Sequence, residues 1–306
     1  VINNTGTWDA KVDGGAIVNQ YGGATTFNNF GSFKKSAGAG STLINIPFVN
    51  TGTVNAQSGT ISLGGGGSNS NTLTTTGAGA TLAFAAGVFD LNAGTNVSGP
   101  GTILLNSSGT VNVNSAMVIP GTTTFTFTAG TLAGTGTLTL NGTFNWSAGV
   151  MTGAGTTTVN GPFNLSGLVG IQSGRILNNA STANWTAGAG QGMWTGLGSV
   201  INNTGTWDAK VDGGAIVNQY GGATTFNNSG TFKKSAGAGS TLMNIPFVNS
   251  GNVDVQSGTI SLGGGGSSTN ALIVSAVSST LTFAAGVFNL DAGTTISGPG
   301  TVLLNT

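Results

Sequence analysis

The sequence has no cysteine, histidine or glutamate and few charges of either sign: seven Lys and Arg against seven Asp in 306 residues. Each absence removes a class of function. Without Cys or His there is no thiol nucleophile, disulfide framework, structural zinc site or Ser–His–Asp triad. Sparse, balanced charge supplies no polybasic field for a nucleic acid. The longest nearly apolar run, Leu82 to Leu91, is broken by Gly87 and Asp90 and falls well short of the ~20 residues of a membrane-spanning helix. The expectation is a chain with no cofactor, metal, nucleic-acid partner, membrane insertion or enzymatic activity. It opens on Val1 without Met or a signal-peptide pattern, as an excerpt of a longer product would.

Order, in contrast, is well supported. Hydrophobic residues make up 38%, with 15 Phe and 5 Trp spaced between 56 Gly, whereas disorder pairs low hydrophobicity with high net charge. Internal repetition organises the chain. Val1–Trp8 returns letter for letter as Val200–Trp207, and residues 1–107 align with 200–306 without a gap. The domain reading is therefore a first long repeat, 1–199, and a partial second copy, 200–306. Differences between the copies conserve size and polarity: Val97 becomes Ile296, Ile103 becomes Val302, and Ile44 becomes Met243.

A finer repeat lies inside the long one. Residues 129–146 and 148–165 share a plan of short strand, Gly-x-Gly, alternating strand, Asn-Gly, alternating strand. Asn recurs at one turn of this plan as Asn4, Asn29, Asn50, Asn106, Asn141, Asn160, Asn179 and Asn203. Period-two alternation cut by Asn and Gly reads as β-strand, not helix. A recurring unit of about 18–30 residues favours a β-solenoid over an antiparallel sandwich. This predicts an all-β parallel β-helix with short strands and Gly/Asn corners. At ~4.8 Å per coil, roughly 14 coils would extend about 65 Å.

In such a coil Asn at a corner stacks on Asn, as amides do in fibrils. Alternation turns Trp8, Ala10 and Val12 inward and Asp9, Lys11 and Asp13 outward. Aligned corners put Trp8, Phe33 and Val54 in one stacked core, with Trp146 and Trp207 in equivalent places. Trp185 and Trp194 are phased inward too. The same alignment predicts a charge ladder of Asp9 over Lys34 and, in the second copy, Asp208, Lys233 and Asp254. Lys35 would fall over the inward Ala10, which requires a bulge or an early turn. The tetraglycine Gly64–Gly67 lacks the Gly-Lys-Ser/Thr of a phosphate loop and reads as a flexible corner. Arg175 is the sole arginine, too little for a carbohydrate-processing site.

Ser58-Gly59-Thr60-Ile61-Ser62-Leu63-Gly64-Gly65, Phe48-Val49-Asn50-Thr51-Gly52-Thr53-Val54 and Gly130–Leu140 resemble repeat regions of bacterial autotransporter passengers and filamentous-haemagglutinin-like surface proteins. The resemblance implies a right-handed parallel β-helix at a bacterial cell surface, with a structural or adhesive role. The functional expectation is a non-enzymatic extracellular rod or filament segment, continuing or self-associating head to tail. The alternative is an adhesin passenger binding a host or glycan ligand through insertions such as residues 64–80.

Overall fold

The computed structural model describes residues 1–305. Among them there is no helix. Every strand pairing is parallel and joins a strand to the one three places later in the chain, so three strands make one coil. This is the expected β-solenoid. It forms two compact units: one of Val1–Asn145 with Gly149–Gly155, the other of Trp146–Ala148 with the chain from Thr156 onward.

In the first unit one face stacks Ile2–Asn4, Phe27–Asn29, Phe48–Asn50, Gly67–Asn69 and Val88–Leu91. A second face stacks Thr7–Asp9, Ser32–Lys35, Thr53–Ala56, Thr72–Thr75 and Asn96–Ser98, and a third stacks Ala16–Ile17 through Thr124–Phe127. Coils measured along the pairing run from 19 residues (Phe48 to Gly67) to 27 (Ala16 to Leu43). Length varies in the corners, and the strands stay in register. The second unit repeats the plan, for example with Val200–Asn203, Thr206–Ala209 and Gly214–Asn218 in one coil. The boundary between long repeats at 199/200 falls inside it, where Ile176–Asn179 pairs with Val200–Asn203.

Inward positions alternate with outward ones along every strand, and each inward side chain lies on its counterpart one coil away. Phe27 and Phe48 stack with ring centroids 5.3 Å apart; in the second copy Phe226 and Phe247 are 5.6 Å apart. Burying each such ring stabilises by about 1.5–3 kcal/mol. Stacking is interrupted once in the first unit. Asn96–Ser98 ends its sheet, and Met117–Ile119 of the next coil starts another. Beside this break the core leaves an apolar gap of about 10 Å³, bordered by Val97, Met117 and Ile119 among others. That is room for about one water-sized sphere, with no polar group to hold it.

Residues 64–80 prove not to be an insertion. They contain Gly67–Asn69 and Thr72–Thr75, both paired to the coils on either side. The tetraglycine is likewise no slack corner. Gly66 and Gly67 have φ of +71° and +129°, and a Cβ on Gly67 would stand 2.0 Å from the Phe48 carbonyl oxygen. Backbone passes over backbone here, and only glycine is thin enough. Gly67→Ala is therefore expected to destabilise by roughly 1–3 kcal/mol. Gly79→Ala, at an exposed position with nothing within 4 Å, should leave the urea midpoint almost unchanged. Equal midpoints for the two variants would contradict this packing.

Candidate functional site

The polar interior is the feature most unlike an ordinary core. At one corner of four successive coils in each unit, buried asparagines form a chain of amides. Asn4 Nδ2 donates to Asn29 Oδ1 (2.7 Å), Asn29 to Asn50 (2.6 Å) and Asn50 to Asn69 (2.6 Å). In the second unit Asn179 donates to Asn203 (2.8 Å), Asn203 to Asn228 (2.7 Å) and Asn228 to Asn249 (2.7 Å). Asn249 ends on the Ser268 hydroxyl at 3.0 Å. The second N–H of each amide turns to a corner carbonyl, as Asn50 does to Gly52. Each donor points toward the next coil, so the amide dipoles align and strengthen one another. A second row outside runs the other way: Asn28 donates back to Asn3, Asn202 to Asn178 and Asn227 to Asn202.

Of the eight corner asparagines expected from the repeat, Asn4, Asn29, Asn50, Asn179 and Asn203 belong to this chain of amides. Asn106, Asn141 and Asn160 do not. Asn141 and Asn160 are exposed, one residue beyond their strands; the place of Asn179 is taken one coil earlier by Val159. Asn106 follows Thr102–Leu105 on a different face, and its Oδ1 is buried without a hydrogen-bond partner. Asn69, Asn228 and Asn249 are members that turn spacing alone did not single out.

The aromatic and charged positions are equally definite. Trp8, Phe33 and Val54 are register neighbours, as are Trp207, Phe232 and Val253. Phe33, Val54, Trp146 and Trp207 are fully buried, whereas Trp8, on the first coil described, is 39% exposed. Trp194 corrects the inward phasing: it faces outward at 38% exposure, with its indole edge-on to Tyr220. Lys34 Nζ stands 3.5 Å from Asp9, and Lys233 Nζ 3.5 Å from Asp208. Asp254 is in register with Lys233 but makes no ion pair among the described residues. It accepts from Gln256 Nε2 at 2.7 Å and from the Ser275 hydroxyl. Burial disfavours the Asp9 carboxylate, but hydrogen bonds from Ser36 and the ammonium groups of Lys34 and Lys11 outweigh it and lower its pKa.

Lys35 needs no bulge in its own strand. The pairing simply stops at Asp9–Lys34, and the Lys35 side chain points into the coil, fully buried. Its ammonium donates to Asp13 Oδ1 (2.9 Å), Ala37 O (2.9 Å) and Val12 O (3.3 Å). Lys234 repeats this with Asp212 Oδ1 (2.9 Å) and Val211 O (2.7 Å). Asp13 and Asp212 are not idle outward charges, then. Each is half-exposed and clamps the loop after one strand to the corner of the next coil. Hydrogen bonds from Lys35 and from the Gly40 and Ala39 amides lower the Asp13 pKa, and Lys234, Gly239 and Ala238 do the same for Asp212. Arg175 is buried too; it donates to the Thr157 hydroxyl at 2.7 Å, and burial lowers its pKa to about 10.

Comparison with family models, curated proteins and solved structures finds no match.

The inward lysine was readable in outline. Phe33 and Lys35 share a phase, and an inward ammonium must find an anion; what sequence spacing hides is that Asp13 lies around the corner.

Two predictions follow from these polar contacts. Asn228→Ala strands a donor on Asn203 and an acceptor on Asn249, and is expected to cost roughly 2–4 kcal/mol in urea unfolding. Asn228→Ser should cost less, since Ser268 already terminates the chain of amides. For the clamps, the folded pKa values of Asp13 and Asp212 lie below the ordinary carboxylate value. Their contribution is therefore complete above that value and lost as pH falls through the lowered one. Melting temperature should hold from neutral pH down to about 4 and drop below it. Asp212→Ala, which leaves a buried ammonium unpaired, should destabilise more than Lys234→Met, which removes the charge. The reverse order would contradict the clamp.

Proposed function

We propose that the chain is a structural, non-enzymatic segment of a long repetitive protein exported to a bacterial cell surface. The observation that carries this reading is how the polar groups are used. All six lysines pair with aspartate. The amides of the two asparagine chains are engaged by the coils above and below. Ionisable groups hold coils together here instead of converging on a cleft, as a site for acid–base chemistry requires. Stacked coils with short corners resist bending and give a protease few extended stretches to grip. The cell-surface setting is supported by the resemblance of Phe48–Val54 and Ser58–Gly65 to passenger-type repeats, and head-to-tail repetition by the return of residues 1–107 as 200–306. The adhesin reading loses its proposed seat, because residues 64–80 are paired strands.

The test joins digestion to binding. Under proteinase K the full chain should be cut only in the open corners, such as residues 18–26, and the strands should survive. On a glycan array it should show no saturable binding. Rapid cleavage throughout the strands, or a saturable glycan, would overturn the proposal.

A further inference from the structure

At one step inside the first unit the coils are joined on two faces instead of three. Between residues 88–105 and residues 110–127, Val88–Leu91 pairs with Thr110–Val113, and Thr102–Leu105 with Thr124–Phe127. On the remaining face Asn96–Ser98 and Met117–Ile119 form no ladder among the described residues.

The residues at the corners show why. Residues 92–95 lead into Asn96–Ser98, but the shorter 114–116 leads into Met117–Ile119; residues 99–101 follow the first strand and the longer 120–123 the second. Counting from the paired faces on either side sets Asn96 opposite Val118, Val97 opposite Ile119 and Ser98 opposite Pro120. On this face an outward residue donates its amide to the carbonyl one place before its partner, as Asn96 does to Asn71 (3.2 Å) and Thr53 to Gly31 (2.8 Å). Pro120 stands where the donor to the Val97 carbonyl belongs, and proline has no N–H. A substitute lies just beyond it. The hydroxyls of Thr123, which is 1% exposed, and of Thr122 (3.4 Å) both donate to the Gly99 carbonyl. Behind them, the apolar gap beside Val97, Met117 and Ile119 leaves those side chains room to shift.

We infer that this step is a hinge. The first unit bends about the two paired faces and opens between Asn96–Ser98 and Met117–Ile119, with Thr123 as the latch. Opening here parts hydroxyl contacts to one carbonyl. Opening the same face one coil lower would break the pairing of Thr72–Thr74 with Asn96–Ser98, and one coil higher that of Met117–Ile119 with Leu138–Leu140. Local opening follows the path with the fewest backbone bonds to lose, so both the place and the direction of bending are fixed. The inference rests on the structural reading proposed above: a stack of coils that spans a distance has one step at which it yields to a sideways load.

The experiment measures distances in the full chain, whose lack of cysteine lets spin labels be placed in chosen pairs. Thr53→Cys with Thr139→Cys lies across the open face. Ser41→Cys with Thr124→Cys covers the same number of coil steps on a paired face. Both pairs of backbone positions stand about 19 Å apart at the strand spacing. In pulsed electron–electron double resonance the first pair is expected to give a distance distribution roughly twofold wider than the second, with the excess at long distance. Thr123→Val, which removes the latch, should widen it further. Pro120→Ser, which supplies the missing N–H, should narrow it toward that of the paired face. Equal widths for the two pairs overturn the hinge, and so does a width that neither variant moves. Proteinase K digestion tests the structural reading separately: it reads strand survival where the spin labels read bending, and either can fail alone.

Discussion

Parallel pairing in register, one strand spacing from coil to coil, is the constraint on which the rest of the structure depends. It fixes not only the backbone hydrogen bonds but also the neighbours of every inward side chain, which are the residues at the same position one coil away. A residue type survives at an inward position only if it tolerates that company. Phe on Phe does, with rings tilted or stacked, and so does amide on amide, because each Asn can donate upward while accepting from below. Lysine on lysine does not, and neither copy attempts it: Lys35 and Lys234 lie in register with Ala56 and Val255 and are each given an aspartate from a corner.

Apolar stacking and polar stacking divide the work. Burial of Phe, Leu, Ile and Val supplies cohesion but says little about register, since one aliphatic neighbour serves about as well as another. The amide chain supplies register. Slipping a coil by a single residue would turn Asn29 or Asn228 from its partners and leave a buried amide unsatisfied, which costs more than the hydrogen bond gains. The buried lysine–aspartate clamps act in the same way at the corners, where coil length varies and the backbone alone offers less guidance. Of the six ion pairs, four join one coil to the next and two, Lys11–Asp9 and Lys210–Asp208, lie within a coil.

Much of this was legible in the letters. The repeat of Asn and Gly around period-two strands led to a parallel solenoid, and the alignment of corners set Trp8 over Phe33 and Lys34 over Asp9. Errors arose where one residue of offset mattered. Asn141 and Asn160 open Asn-Gly turns like those of the true amide chain but stand one position past it, so they face solvent. Trp194 follows Met193 on a strand whose phase the flanking glycines conceal, and it points out. The partnership of Lys35 with Asp13 crosses a corner, where strand periodicity carries no information.

The sequence by itself determined the strand plan, the coil as unit of construction and the identity of the stacked core, because these depend on local alternation and on repetition. Only the tertiary structure decided which asparagines join the amide chain, which aspartate neutralises a buried lysine, and which surfaces are covered. The clearest case is the corner asparagines: Asn29 is buried in the amide chain and Asn141 is exposed. Burial is a property of what packs against a residue from elsewhere in the chain, and no reading of the residue and its immediate neighbours contains it.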